Sequence, residues 1–384
     1  MAENFARRLE DSSRRAPEKP ALVWDGGALT FGELDRRASA FAATLAALGV
    51  KAGDSIALTI GNDWTFAVAL IAGWKLGAAV APLDTLLKDE ERADIVADLA
   101  PRLLVRETDV AGPGRGGPGG LGRQSGTPES RPQPERLRSG LWVTEPAEPA
   151  RPAPPRSSDA TPAALILYTS GSTGRPKGAL LSHAALELAI ESWAGPVMAL
   201  VPGDVVLATL PLAHSFGLNG ALLAPLLVGA TVALVERFAP DRVLEAIQRH
   251  RVTVFPGVAT MFRRLLDARE LAAANLGSVR IAVSGAAPCP WELAERWRDR
   301  TGIRIVRGYG MTELFRPISY QAANPHESPD AIGWPVPGVE IRIVDDAARG
   351  VAAGEAGELW IRSPSAMNAY INAPDETREV LVDG

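Results

Sequence analysis

Residues 165–178 read LILYTSGSTGRPKG, an apolar run that opens into a loop holding three glycines, four hydroxyl side chains and one lysine. Glycine lets the backbone approach an anion closely, while hydroxyls and main-chain amides supply donors. Lys177 adds a positive charge suited to phosphate oxygens. The nearest competing pattern is the Walker loop, which places Gly-Lys before Ser or Thr. Here Lys177 is flanked by Pro176 and Gly178, and a proline there argues against a lysine one turn into a phosphate-cradling helix. A polar turn would have no need of that lysine. A buried strand running straight into a phosphate loop belongs in an open α/β sheet, where ligands sit beyond the carboxyl ends of strands.

Outward from this loop the same texture continues. Val205 to Leu210, Thr231 to Val235, Val252 to Phe255, Arg280 to Ser284 and Ile303 to Arg307 are short runs of strand character. Helical patterns lie between most of them, including Asp241 to His250 and Pro290 to Arg300. That alternation predicts parallel sheets covered by helices. Upstream, 17–105 reads as a first α/β stretch. Thr30 and Glu33 form a capping box, and Leu34, Ala38, Phe41, Leu45 and Leu48 recur at helical spacing before a Gly49 cap. Ser55 to Ile60 follows as a strand. Trp64 to Leu83 is long enough to raise the question of a membrane span. A central Lys75, two glycines, Pro82 and much alanine predict a buried helix and a short strand instead.

Two segments break the pattern. In 111–120 eight of ten residues are Gly or Pro, and 107–158 is expected to be a mobile surface insert because it cannot bury enough apolar area to offset its ordering entropy. After Asp330, Val339 to Val344 and Glu358 to Ile361 lie between Gly-rich turns and read as a β-rich closing module. The expected fold class is therefore α/β, with two helix-covered, mainly parallel sheet subdomains and a small barrel-like β module. Its parts are a first α/β region over 1–230, a second over 231–330 and the β module over 331–384.

Composition narrows the function. The chain has 384 residues, 46% of them apolar and 22% charged, which is ordinary for a globular protein. A net charge of −5 without a basic run offers no electrostatic footprint for nucleic acid. Cys289 is the only cysteine, and there are four histidines, so neither an intrachain disulfide nor a Cys-based zinc site can form. With no apolar stretch in MAENFARRLEDSSRR to act as a secretory signal, the expected setting is the cytoplasm.

Three more loops follow strands. GYGMTE (308–313) comes after Ile303 to Arg307: Tyr309 offers a ring for stacking, Thr312 a donor and Glu313 a carboxylate for a hard cation. Its bland alternative is a turn and then a helix with an acidic first turn. SGAAP (284–288) follows another strand, and its small residues would let backbone lie against a planar base. PLAHSFG (211–217) carries His214, which is structural more often than functional when it stands alone.

Together, the order and spacing of these four loops resemble the adenylate-forming (AMP-binding) superfamily, in its acyl-CoA synthetase branch. The flanks agree, from TFGELDRRASAFAATLAALGVKAGD to GWPVPGVEIRIVD and GELWIRSPSAMNAYINAPDETREVLVDG, so the likeness covers most of the chain outside the insert. The resemblance implies that Thr169, Ser170, Gly171, Ser172, Thr173, Gly174 and Lys177 handle the β- and γ-phosphates of ATP. It implies that Gly285, Ala286, Ala287, Gly308 and Tyr309 enclose adenine, that Thr312 touches the α-phosphate and that Glu313 holds Mg2+. His214, Phe216, Gly310 and Met311 would border the acyl group. The implied reaction converts a small-molecule carboxylic acid to an acyl-adenylate with release of pyrophosphate, then to a thioester with coenzyme A. A carboxylate attacking a triphosphate must overcome like-charge repulsion, so such a site needs cations, donors and an in-line pose.

The chain departs from the pattern at its end. It stops at Gly384, where the family continues into a Thr-Gly-Asp motif, a hinge and a cap domain carrying the lysine for adenylation. The expectation is a core that binds nucleotide or acyl-adenylate and is poorly active alone. HSFGLN offers no aspartate for a substrate ammonium, which lowers the amino-acid reading. Phe216, Leu218, Met311, Leu314 and Phe315 form an apolar set suited to an aliphatic or aryl acid, with a medium- or long-chain fatty acid as the working expectation. Arg316 could meet a second carboxylate, but the expectation is an exposed arginine paired with a surface acid. Alternatives are a ligase that loads a carrier protein and a non-catalytic acyl-adenylate binding module.

Overall fold

Thr30 begins the first long helix as its sequence requires. Its side chain accepts from the Glu33 amide while the Glu33 carboxylate accepts from the Thr30 amide, and the helix Phe31–Ala47 follows. The chain turns at Gly49, whose φ of 85° is left-handed. The computed structural model describes residues 4–111, 135–136, 142–143, 162–170, 175–324 and 327–382.

Two sheets organise the molecule. A seven-stranded sheet runs in the order Ile305–Val306, Ile281–Ser284, Val254–Gly257, Val205–Ala208, Thr231–Leu234, Pro20–Trp24, Gly27–Thr30. All of its neighbours are parallel except the last pair. An eight-stranded sheet runs Ala369–Tyr370, Pro176–Ser182, Ala163–Ser170, Ala79–Pro82, Ser55–Thr59, Leu103–Arg106, Trp142–Val143, Glu135–Arg136. Its four central strands are parallel and its edges antiparallel. Each sheet takes strands from distant parts of the chain: Pro20–Trp24 and Val205–Ala208 lie with the strands of 231–306, and Ala369–Tyr370 lies with those of 55–182.

Period-two alternation explains the layers. Val206 and Ala208 point into a core that also receives Ile56, Leu58 and Leu165 from the other sheet, whereas Leu207 points to the outer side with Phe255, Phe262 and Trp297. Ala57 likewise faces outward, toward Ile95 and Leu99 of the helix Asp89–Leu99. Between the sheets lies Trp64–Lys75, buried at every residue from Trp64 to Trp74. A helix apolar all round belongs in a core, and the Trp74 indole donates to the Ala164 carbonyl at 2.8 Å. Among the described residues no helix is long and apolar enough to cross a membrane.

The closing module differs from the barrel-like expectation. Gly308–Met311, Phe315–Ser319 and Trp334–Pro335 form a three-stranded sheet, and Glu340–Val344 pairs separately with Glu358–Arg362. Among the described residues there is no closed barrel; the strands are too short and too few to share one ring of hydrogen bonds. Of the expected insert, 107–111 is the short helix Glu107–Ala111, and Leu104 pairs with Trp142. Nearly all the rest of 112–158 lies outside the described residues.

Candidate functional site

The phosphate-loop strand Ala163–Ser170 returns directly through Pro176–Ser182, with Thr169 opposite Lys177 and Ser170 opposite Pro176. The strands on either side of the loop therefore pair as a hairpin, and Pro176 and Lys177 stand in a strand and not in a helix, which is where the proline at 176 pointed. Gly171, Ser172, Thr173 and Gly174 lie outside the described residues. Lys177 and Ala179 share one face of their strand, and Tyr370 on the edge strand pairs with Ala179. That register carries the Lys177 ammonium to 5.5 Å from the Tyr370 ring centroid.

Tyr370 reaches the second loop as well. Its hydroxyl donates to Glu313 Oε1 at 2.6 Å, and the Glu313 carbonyl accepts from the Met367 amide at 2.8 Å. Burial and then the Glu313 carboxylate push the Tyr370 phenol well above its ordinary value, so it stays a donor. Lys177 and Glu313, read from separate motifs, thus meet at one tyrosine, the first over its ring and the second at its hydroxyl. Among the described residues no group of three or more His, Cys, Asp or Glu is placed to hold a metal. Mg2+ in nucleotide sites takes one or two carboxylates and completes its shell with phosphates and water. The single Glu313 carboxylate fits that donor set.

GYGMTE is a strand and a turn, not a helix start. Gly308–Met311 forms a hairpin with Phe315–Ser319, and a Cβ on Gly310 would fall 2.2 Å from the Phe315 carbonyl oxygen. Only glycine allows that approach. The hairpin turns Tyr309 and Met311 outward, 38% and 39% exposed despite their apolar rings and chains, as ligand-facing side chains would be. Thr312 is half-buried in the turn. In SGAAP, Gly285 is buried while Ala286, at φ 62°, and Ala287 are exposed.

His214 is exposed, and its Nε2 lies 2.8 Å from Asp84 Oδ2. Asp84 follows the strand Ala79–Pro82 of the other sheet, so this pair joins strand-end loops from both sheets. Phe216 is buried against Trp193, with ring centroids 5.2 Å apart and an interplanar angle of 22°.

Arg316 overturns an expectation. It is 4% exposed and, among the described residues, pairs with no surface acid; its guanidinium donates to Ser319 Oγ and to the Ser284 and Val306 carbonyls. Burial lowers its pKa to about 9. The strand Phe315–Ser319 is buried at every residue, which takes the side chain inward. Of the apolar set expected around the acyl group, Phe216, Leu218 and Phe315 are buried core residues, Leu314 is half-buried and Met311 is exposed.

Tyr370, Asp84 and Trp193 were not found from sequence. None stands in a loop with a local chemical signature; each acts through a partner far along the chain.

Residues 9–371 match the family described as AMP-binding enzyme. The chain is 33% identical to a feruloyl-CoA synthase of Amycolatopsis sp over 97% of its own length and 72% of that protein. It is 30% identical to a long-chain-fatty-acid–CoA ligase of Yersinia pestis over 98% and 72%. Among solved structures, the anthranilate CoA ligase AuaEII in complex with anthranoyl-AMP superposes with a TM-score of 0.82 at 26% identity, covering 98% of this chain and 73% of that one. ATP-bound MatB from Rhodopseudomonas palustris gives 0.81 at 26%, covering 100% and 74%. By motif, fold and relatives alike, the chain belongs to the AMP-binding enzyme family, as a ligase that uses ATP and Mg2+ to join a carboxylic acid to coenzyme A through an acyl-adenylate.

Proposed function

We propose that the reaction runs in the space bounded by the hairpin tip from Thr169 to Lys177, the turn at Thr312 and Glu313, and the loops at Gly285 and His214. The hairpin tip takes the β- and γ-phosphates, with Lys177 as a point charge that offsets their repulsion of the incoming carboxylate. Gly285, Ala286, Ala287, Gly308 and Tyr309 receive adenine. Thr312 donates to the α-phosphate. Glu313 would hold Mg2+, which would supply neutralisation of phosphate charge. A carboxylate oxygen of the acid attacks the α-phosphorus, the bond to pyrophosphate breaks, and the thiolate of coenzyme A then displaces AMP from the acyl carbon. His214, Phe216, Gly310 and Met311 border the acyl group. Asp84 orients the His214 ring, since one imidazole nitrogen is engaged and the other is left for substrate.

The observation that supports this assignment is the Lys177–Tyr370–Glu313 contact, because it joins the two charges that a triphosphate needs. Lys177→Ala is expected to weaken ATP binding about tenfold, as loss of a charge-assisted contact does. Calorimetry with Mg-ATP checks it, and unchanged affinity would remove the hairpin from the site. A cytoplasmic setting, where ATP and coenzyme A are both supplied, suits a chain whose one cysteine is a free thiol. A carrier-protein thiol is the second acceptor to test; titrating it against coenzyme A shows which one takes the acyl group.

A further inference from the structure

Among the described residues Arg316 is a buried cation that makes no ion pair of its own. Three of its five N–H donors are used: Nε on Ser319 Oγ at 2.9 Å, Nη1 on the Ser284 carbonyl at 2.9 Å and Nη2 on the Val306 carbonyl at 3.3 Å. One N–H on each Nη has no partner among the described residues. The acid whose charge reaches it, Glu327, is already held by Arg304 and Arg307. A structural staple between two strand ends accounts for the three bonds. It does not account for a full charge placed where desolvation is expensive.

The surroundings say what could answer that charge. A Cβ on Gly285 would stand 3.0 Å from Nη1 and 3.2 Å from the Phe216 ring, and one on Gly308 would stand 2.6 Å from Nη2. The guanidinium therefore lies close against Gly285 and Gly308, the two glycines read as adenine-facing, and near the Phe216 ring read as bordering the acyl group. Its carbon sits 4.9 Å from the centre of Trp193, which is stacked on Phe216 and has a buried indole N–H with no partner among the described residues. The free N–H groups of Arg316 and Trp193 are donors, and the buried Ser284 hydroxyl, also without a partner among the described residues, can donate as well. A neutral alkyl chain would leave them all unpaired, whereas a carboxylate would satisfy charge and donors together.

We propose that Arg316 is a specificity-determining residue that selects short acids bearing a second carboxylate; this rests on the acid-activation reading of the same site. The test uses two unreactive acyl-adenylate mimics, succinyl- and butanoyl-sulfamoyl adenosine, titrated against the whole chain by calorimetry. The wild-type chain is expected to bind the succinyl mimic at least about tenfold more tightly. Arg316→Met should erase that preference while AMP still binds, and Arg316→Lys should keep part of it. If the wild-type chain binds the butanoyl mimic as well or better, the proposal is overturned and acid activation stands; this comparison needs no variant to fold. If neither mimic nor ATP binds, the acid-activation reading falls with it.

Discussion

Tyr370 meets three parts of the chain through single groups: its amide donates to Thr377 Oγ1, its ring lies under Lys177 and its hydroxyl donates to Glu313. The hydroxyl matters most, because a carboxylate that is to hold a cation must be kept in one orientation. Outer-shell partners of this kind typically cost 10–100-fold in metal affinity when removed. Tyr370→Phe keeps the ring and loses the donor. It is expected to raise the Mg2+ concentration needed for half-maximal ATP binding about tenfold while leaving ATP affinity at saturating Mg2+ near wild type. Titrating Mg2+ at fixed ATP checks this, and superimposable curves would show that the hydroxyl has no such role. The residues proposed here for phosphate, metal and adenine, Lys177, Glu313 and Tyr309, could be singled out because each sits in a loop of distinctive composition. Tyr370 could not, since a tyrosine near the start of a surface helix has no local signature.

At the level of elements, two interactions set where structure begins and how closely it packs. The capping box at Thr30 and Glu33 satisfies amides that the helix Phe31–Ala47 cannot bond itself. Thr30→Ala should cost about 1 kcal/mol of stability, read as a lower urea midpoint with an unchanged slope; a midpoint identical to wild type would show that the cap contributes nothing. The helix Trp64–Lys75 packs hard against its sheet: a Cβ on Gly73 would come within 2.7 Å of Val80 and 2.8 Å of Ile56. Both elements were legible because capping and apolar periodicity act within a few residues. The GYGMTE hairpin was harder, for its strand is held by Phe315–Ser319 and not by any pattern of its own.

Across the whole molecule, burial of single polar groups ties stability to pH. His183 is fully buried where the helices Phe5–Arg15 and Trp64–Lys75 meet its own, and its Nδ1 accepts the Phe5 amide at 3.2 Å. Burial lowers its pKa from 6.5 to about 4. Between those values the unfolded chain takes up a proton that the folded chain refuses, so stability present above pH 6.5 is lost on acidification toward pH 4. The loss from this residue is on the order of 3 kcal/mol. His183→Gln should flatten that part of the curve, measured as denaturant stability from pH 7 to 4.5; parallel curves would clear His183. Strand and helix order, the phosphate-loop composition and the charge balance were all present in the primary structure, since each depends on neighbours only a few positions apart. The Tyr370–Glu313 and Asp84–His214 pairs, 57 and 130 positions apart, arise from sheet register and from the way two sheets present their strand ends. Whether Arg316 faces water or the interior was likewise settled by packing, because a charged side chain on a strand turns inward or outward according to what covers each face.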